Sequence, residues 1–96
     1  MIERTLLVTA RLGLHARAAA KLVRLAQSFN STVELRRVDN SVTADAKSIL
    51  SVLMLAAGRG TELSATADGI DEEAALTALD QLFAQGFGEM EQEPSG

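Results

Sequence analysis

The chain has 96 residues, which is enough for one domain with a modest core but too few for a deep substrate cleft beside it. It contains no cysteine and one histidine, which excludes disulfides, thiolate chemistry and the usual zinc sites. Residues 1–59 hold all nine basic residues and four acids, whereas residues 60–96 hold nine acids and no base. This segregation, within a net charge of −4, favours an acidic protein partner over nucleic acid.

The chain begins with a strand pattern and then changes to a helix pattern. Residues 2–9 alternate as a strand, and a loop over 10–14 leads into a helix predicted for residues 16–29. The apolar stripe of this helix follows the i, i+3, i+4, i+7 spacing and consists of Ala19, Leu22, Val23 and Ala26. Asn30 and Ser31 end it.

Alternation returns after this helix. Residues 32–38 form a second strand, with Val33 and Leu35 facing inward. Asp39-Asn40 is a turn signal, and residues 41–44 form a short return strand.

A second, shorter helix is predicted over residues 48–57. Ser48 stands at the N-cap position, and Gly58 and Gly60 close the segment. The spacing places Ile49, Val52, Leu53 and Ala56 inward. Leu50 and Met54 are left on another face.

The last part of the chain carries one more strand and one more helix. Residues 62–68 alternate with Leu63, Ala65 and Ala67 on one face, and Asp71 is predicted to cap a third helix that Gly86 ends. The apolar stripe of that helix consists of Ala75, Leu79, Leu82 and Phe83.

The predicted order β-α-β-β-α-β-α is typical of an α+β two-layer sandwich, with a four-stranded antiparallel sheet and three helices on one face. We expect one domain over residues 1–88 and a flexible acidic tail over residues 89–96. No signal-peptide pattern and no membrane-spanning apolar run occur, so we expect a soluble cytoplasmic protein without membrane insertion.

His15 is the candidate reactive residue, in the run Gly13-Leu14-His15-Ala16-Arg17. An imidazole nitrogen can accept a phosphoryl group, and a helix N-terminus offers free backbone N–H donors, here those of Ala16 and Arg17. The Arg17 guanidinium adds donors shaped for phosphate oxygens. We expect the His15 side chain to be exposed to solvent.

Two motifs carry a resemblance to a known family. Gly13-Leu14-His15-Ala16-Arg17 resembles the active-site signature of HPr, the histidine-containing phosphocarrier of the bacterial phosphotransferase system. The run over residues 47–53, Lys-Ser-Ile-Leu-Ser-Val-Leu, resembles the signature around its regulatory serine. The resemblance covers nearly the whole chain except the tail, and implies an open-faced sandwich of four antiparallel strands with three helices on one side.

The resemblance also implies a function. His15 would accept a phosphoryl group from phosphorylated enzyme I and pass it to a IIA domain, serving sugar uptake or nitrogen-branch regulation. Arg17 would contact the phosphate, and Ser48 would be the regulatory serine modified by HPr kinase where that enzyme exists. Such a protein is a carrier rather than an enzyme, requires no cofactor or metal, and is expected to be a monomer.

Two positions depart from the family pattern. The family usually has proline where this chain has Ala18, which predicts altered local rigidity or an extra free N–H. The family often has asparagine where this chain has Ala10, which predicts altered hydrogen bonding in the loop.

A docking surface is expected beside His15. Arg17, Lys21 and Arg24 follow the i, i+4, i+7 spacing and would form one exposed basic stripe. Leu50 and Met54 would supply its apolar centre. The complete set of docking candidates is Ala20, Lys21, Arg24, Leu50, Ser51 and Met54.

Two other functions compete with the carrier. The first is an HPr-like regulator that is controlled by phosphorylation of Ser48 and acts by protein binding, since a phosphate there would add about −1.5 to −2 charge to the docking surface. The second is a small phosphatase, but the sequence offers no second general acid or base near His15.

Overall fold

A computed structural model describes residues 1–88 of the chain. Within these residues the elements follow the predicted order: β1 (Ile2–Leu7), α1 (Ala16–Gln27), β2 (Thr32–Arg37), β3 (Thr43–Asp45), α2 (Ile49–Met54), β4 (Glu62–Asp68) and α3 (Glu72–Ala84). A short 3-10 turn over Gly86–Gly88 follows α3. The acidic tail predicted for residues 89–96 lies outside the described residues.

The four strands form one antiparallel sheet in the order β1-β4-β2-β3. Its buried face is apolar, as the alternation predicts, and includes Leu6, Val33, Leu35, Leu63, Ala65 and Ala67. Its other face is exposed and polar, with Glu3, Thr5, Glu34, Thr43 and Asp45. The helices cover the apolar face only, which confirms the predicted α+β open-faced sandwich.

Alanine supplies much of the buried face of α1. Ala18, Ala19 and Ala26 of α1 are buried, together with the predicted Leu22 and Val23. Small side chains let a helix approach its neighbours closely, and the neighbouring helices of α1 are α2 and α3. The aromatic part of the core is the edge-to-face pair of Phe83 and Phe87, with ring centroids 4.9 Å apart.

The second helix differs from its prediction in length and orientation. It ends at Met54 instead of Ala57, because Ala56 adopts a left-handed backbone conformation with φ of +51°. Of the four residues predicted to face inward, only Val52 is buried. The chain turns within one residue of the helix end, so Leu55 and Ala57 enter the core, whereas Ile49, Leu53 and Ala56 stay on the surface.

The third helix begins after Asp71, but Asp71 does not cap it with its side chain. Its carboxylate instead accepts hydrogen bonds from the backbone N–H groups of Asn30 and Ser31, at 2.8 and 2.9 Å. Asp71 thus holds the predicted N-cap position, but its side chain makes no capping hydrogen bond because tertiary partners engage the carboxylate. The buried stripe also includes Leu76, while Leu82 is only partly buried.

Candidate functional site

The loop that carries His15 is anchored by backbone atoms at both of its ends. The Gly13 N–H donates to the Ala10 carbonyl at 3.0 Å, and the Leu14 N–H donates to the Ala57 carbonyl at 2.9 Å. The turn at residues 10–13 is thus closed by a backbone hydrogen bond, which needs no polar side chain at position 10.

Gly13 allows this loop to lie against the segment that follows α2. Its φ of +70° falls in the left-handed region, and a Cβ at this position would lie 2.6 Å from the Ala57 carbonyl oxygen. Only glycine fits both the conformation and the space. The His15 loop and the segment after α2 therefore form one packed unit.

His15 is itself the N-cap residue of α1. Its backbone is extended, with φ of −78° and ψ of −178°, and its carbonyl accepts the first helical hydrogen bond, from the Ala19 N–H at 2.8 Å. Its Nδ1 atom accepts a hydrogen bond from the Arg17 N–H at 3.3 Å. The side chain is half-buried instead of exposed as expected.

This geometry directs an imidazole lone pair at the N-terminus of a helix. An imidazole nitrogen that accepts a hydrogen bond does so through its lone pair, and the same lone pair can act as a nucleophile. A phosphoryl group bonded there would lie beside the amides of Ala16 and Arg17, at the positive end of the α1 dipole. The first turn of α1 has no acidic residue that would repel it.

Ala18 lies within that first turn and is completely buried. Within residues 1–88 its N–H donates to no backbone or side-chain acceptor, as expected for an alanine that replaces the family proline. The departure from the family pattern thus leaves one more amide at the helix start.

The basic residues of α1 do not form one continuous exposed stripe. Arg17 and Arg24 are exposed, but Lys21 is half-buried and its Nζ atom donates to the Phe87 carbonyl at 2.7 Å. The prediction of exposure was wrong for Lys21, because the turn after α3 lies against this side of α1. Ala20 is also half-buried.

The exposed surface of α2 is more apolar than predicted. Four neighbouring side chains are accessible to solvent: Ile49, Leu50, Leu53 and Met54, with 45, 66, 37 and 71 % exposure. We call these four residues the α2 face. Because the segment after α2 contacts the His15 loop, Met54 marks the end of this face that is closer to His15.

Ser48 lies at the opposite end of α2. Its Oγ atom accepts a hydrogen bond from the Ser51 N–H at 3.3 Å, which confirms the predicted N-cap. Ser51 is half-buried, and its own hydroxyl accepts from the Asp45 N–H at 3.0 Å. Both serines therefore stabilise the start of the short helix.

Two features of the site were not found from the sequence. Histidine is not among the usual N-cap residues, so its capping role gave no signal. Nothing in the sequence indicated the role of Arg37 either, because its contacts with the carbonyls after α2 depend on the tertiary fold.

Within residues 1–88, no cluster of three or more His, Asp or Glu side chains suits a metal ion, and none of the helices has the length and apolar character needed to cross a membrane.

A family model, sequence relatives and a solved structure all match most of this chain. The family described as "PTS HPr component phosphorylation site" matches residues 2–85. The phosphocarrier protein HPr of Cupriavidus necator is 48 % identical over 91 residues, covering 95 % of this chain and all of that protein. The phosphocarrier protein NPr of Escherichia coli is 41 % identical over 88 residues, covering 92 % of this chain and 97 % of that protein. A crystal structure of HPr from Thermoanaerobacter tengcongensis superposes with a TM-score of 0.85 at 35 % identity, covering 92 % of this chain and 97 % of that one.

Proposed function

Because this chain belongs to the HPr/NPr family of phosphocarrier proteins, we propose that His15 is the residue on which it carries the phosphoryl group. The protein accepts a phosphoryl group from enzyme I of the phosphotransferase system and passes it to IIA domains. It relays the group between enzymes and catalyses no small-molecule reaction of its own.

The hydrogen bond from the Arg17 N–H to His15 Nδ1 is the observation that carries this proposal. Nδ1 attacks the phosphorus held by enzyme I, a new N–P bond forms, and the bond to the donor residue breaks. The backbone N–H groups of Ala16 and Arg17 then donate hydrogen bonds to the phosphoryl oxygens. Reversal on a IIA domain returns the lone pair to Nδ1.

Arg17 is proposed as the side chain that contacts the phosphoryl group. It is exposed and lies two residues after His15, and it forms no ion pair within residues 1–88. A mobile guanidinium can follow the group during transfer without trapping it. This suits a phosphohistidine, which must be held long enough to travel and released on demand.

The proposed docking surface combines the exposed Arg24 with Leu50 and Met54 of the α2 face. Exposed apolar side chains supply the centre of an interface, and neighbouring cations steer acidic partners toward it. The half-buried Ala20, Lys21 and Ser51 would lie at its rim. The same surface would serve enzyme I and the IIA domains in turn.

Ser48 is proposed as a regulatory position, with an HPr kinase as a further partner. It lies at the start of α2, next to Ile49 and Leu50 of the α2 face. A phosphate there would place about −1.5 to −2 charges beside the docking surface and repel acidic partners. This supports the alternative function, a regulator that acts by protein binding.

We propose further that the protein works as a monomer in the cytoplasm. Transfer requires the surroundings of His15 and the α2 face to be open to one partner at a time, and a stable dimer through that face would close it.

The test is phosphorylation by enzyme I and phosphoenolpyruvate, measured by intact mass on the full chain and on His15→Ala. We expect one acid-labile phosphoryl group on the unaltered protein and none on the variant. A Ser48→Ala variant is the matched control and should be labelled normally.

Each outcome has a clear meaning. A His15→Ala protein that folds and is still labelled would refute His15 as the acceptor. An unlabelled native chain, with enzyme I active on a control carrier, would favour the regulator controlled through Ser48.

A further inference from the structure

The C-terminal end of α2 is stabilised by an arginine from the sheet. The helix has six residues and no basic residue in its last turn, so it cannot neutralise its own terminal carbonyl groups. Nη1 of Arg37, the last residue of β2, donates to the Leu55 carbonyl at 3.0 Å and to the Ala56 carbonyl at 3.1 Å. A cation at this end of a helix also interacts favourably with the helix dipole.

Asp39 holds the Arg37 guanidinium in this position. Nε and Nη2 of Arg37 donate to the two carboxylate oxygens of Asp39 at 3.0 and 2.7 Å, a bidentate arrangement. The hydrogen bonds from Arg37 lower the pKa of Asp39, and those to Asp39 raise the pKa of Arg37. The side chain of Arg37 is 18 % exposed, so its orientation is restricted by packing as well as by charge.

The segment that Arg37 holds is the one that supports the His15 loop. Ala56, whose carbonyl contacts Arg37, has a φ of +51° and precedes Ala57. The Ala57 carbonyl accepts the Leu14 N–H at 2.9 Å, and Leu14 precedes His15. Asp39 and Arg37 are thus linked to the His15 loop by hydrogen bonds on either side of the peptide bond between Ala56 and Ala57.

We propose that Arg37 is a positioning residue for phosphoryl transfer, which sets the place of His15 and the α2 face relative to each other. It touches neither the phosphoryl group nor the imidazole. It acts by fixing residues 55–57, against which Gly13 and Leu14 pack. The proposal rests on the proposed function, because it takes His15 as the acceptor.

Replacement of Arg37 by glutamine removes the charge and the fork of donors. The carbonyls of Leu55 and Ala56 lose their donor, and residues 55–57 are free to shift with the His15 loop. Since a displacement near 1 Å can slow a positioned reaction by about a hundredfold, we expect transfer from phosphorylated enzyme I to slow by about tenfold. Arg37→Lys keeps the charge but not the fork, and should recover part of the rate.

The experiment measures single-turnover transfer from phosphorylated enzyme I to the full chain, together with NMR signals of the Leu14 amide and the His15 imidazole. Arg36→Gln is the matched control, because Arg36 precedes Arg37 on the same strand but faces Glu3 on the open side of the sheet. Asp71→Asn controls for loss of stability, since Asp71 binds Asn30 and Ser31 beyond the C-terminal end of α1, whereas His15 lies at the N-terminal end.

We expect Arg37→Gln to slow transfer and to shift the Leu14 and His15 signals, and neither control to do so. Normal transfer by Arg37→Gln, or unmoved Leu14 and His15 signals, would overturn the proposal. The proposal would also be overturned if Asp71→Asn, at an equal loss of stability, slowed transfer as much as Arg37→Gln does. If Arg37→Gln does not fold, the comparison between Arg37→Lys and Arg36→Lys decides in the same way.

Failure of the proposed function remains distinguishable from failure of this inference. Labelling that persists in His15→Ala refutes His15 as the acceptor, whatever Arg37 does. The response of the Leu14 amide to Arg37→Gln tests the coupling between the two segments without any phosphoryl transfer.

Discussion

His15 combines structural and chemical properties at one backbone position. Its extended backbone ends the loop, its carbonyl starts the helix, and its Nδ1 atom accepts the Arg17 N–H at 3.3 Å. If the phosphoryl group bonds to Nδ1 as proposed, this hydrogen bond must break, and oxygens of the group replace the nitrogen as acceptors. The helix start is thus stabilised in both states of the carrier.

Asp71 illustrates a different use of a single side chain. Its carboxylate accepts hydrogen bonds from the Ser31 hydroxyl and from the N–H groups of Asn30 and Ser31, linking the end of α1 to the start of α3. These bonds, the Ser31 hydroxyl first, lower the pKa of Asp71. Because the pKa is lower in the folded state, Asp71 stabilises the fold above its unfolded pKa of about 3.9, and this contribution is lost as pH falls toward the folded pKa.

Asp71→Asn should therefore lower the melting temperature at pH 7 by about 5 °C, and the deficit should shrink as the pH falls below about 4. Thermal unfolding followed by circular dichroism from pH 7 to pH 3 measures this. Asp80→Asn is the control, because within residues 1–88 Asp80 forms only an exposed ion pair, with Arg4 at 3.5 Å, and its loss should change little. A deficit that stays constant over the whole pH range would contradict the assignment.

At the scale of secondary-structure elements, the geometry of the site depends on the packing of the His15 loop against the segment after α2. α1 and α2 are each short amphipathic helices, and neither alone brings His15 to the α2 face. The contact of Gly13 with Ala57 and Gly58 does so, and it tolerates no side chain. The fit between these loops is therefore a requirement for the site rather than a consequence of helix packing.

Gly13→Ala should destabilise the protein by about 2 kcal/mol or more, through a left-handed backbone and a clash with the Ala57 carbonyl oxygen. It should also slow transfer from enzyme I, because the His15 loop must move. Urea denaturation and the transfer assay measure the two effects.

Variants at two other glycines separate the contribution of the left-handed backbone from that of the clash with Ala57. Gly60 has a φ of +91° in open space, so Gly60→Ala tests the backbone conformation alone. Gly58 has open space and no left-handed φ, so Gly58→Ala should be nearly neutral. If Gly13→Ala is no worse than Gly60→Ala, the packing argument is wrong.

Over the whole molecule, charge and apolar surface are distributed unequally. The apolar α2 face lies on α2, which packs against α1 with its exposed cations Arg17 and Arg24, whereas the open side of the sheet is polar. A partner with an apolar centre and an acidic rim fits this side of the molecule. Steering by such cations acts over roughly 10 Å at 0.1 M salt and weakens as salt increases.

Arg24→Glu should lower kcat/KM for phosphorylation by enzyme I by about tenfold at low ionic strength, and the difference should nearly vanish at about 1 M salt. Steady-state kinetics over a salt series measures it. Arg36→Glu makes the same change of charge on the open side of the sheet and serves as the control. An equal effect of both variants would indicate net charge instead of a docking surface.

The order of the elements, the inward faces of β2 and β4, the stripe of α1, the Ser48 cap and the site motif around His15 could all be read from the sequence. Each is a local property, because alternation, helical spacing and capping depend on residues within a few positions of each other. The family motifs are also local, since they are short runs of neighbouring residues, and they allowed the function to be predicted.

Only the tertiary structure decided the inward face of α2, the engagement of Lys21, the partners of Asp71 and the contacts of Arg37. In a six-residue helix one left-handed residue, Ala56, is enough to change which side chains enter the core. Lys21 and Asp71 are bound by groups 66 and 40 positions away along the chain. Such contacts form only when the fold brings distant segments together, so they cannot be predicted from the spacing of residues along the chain.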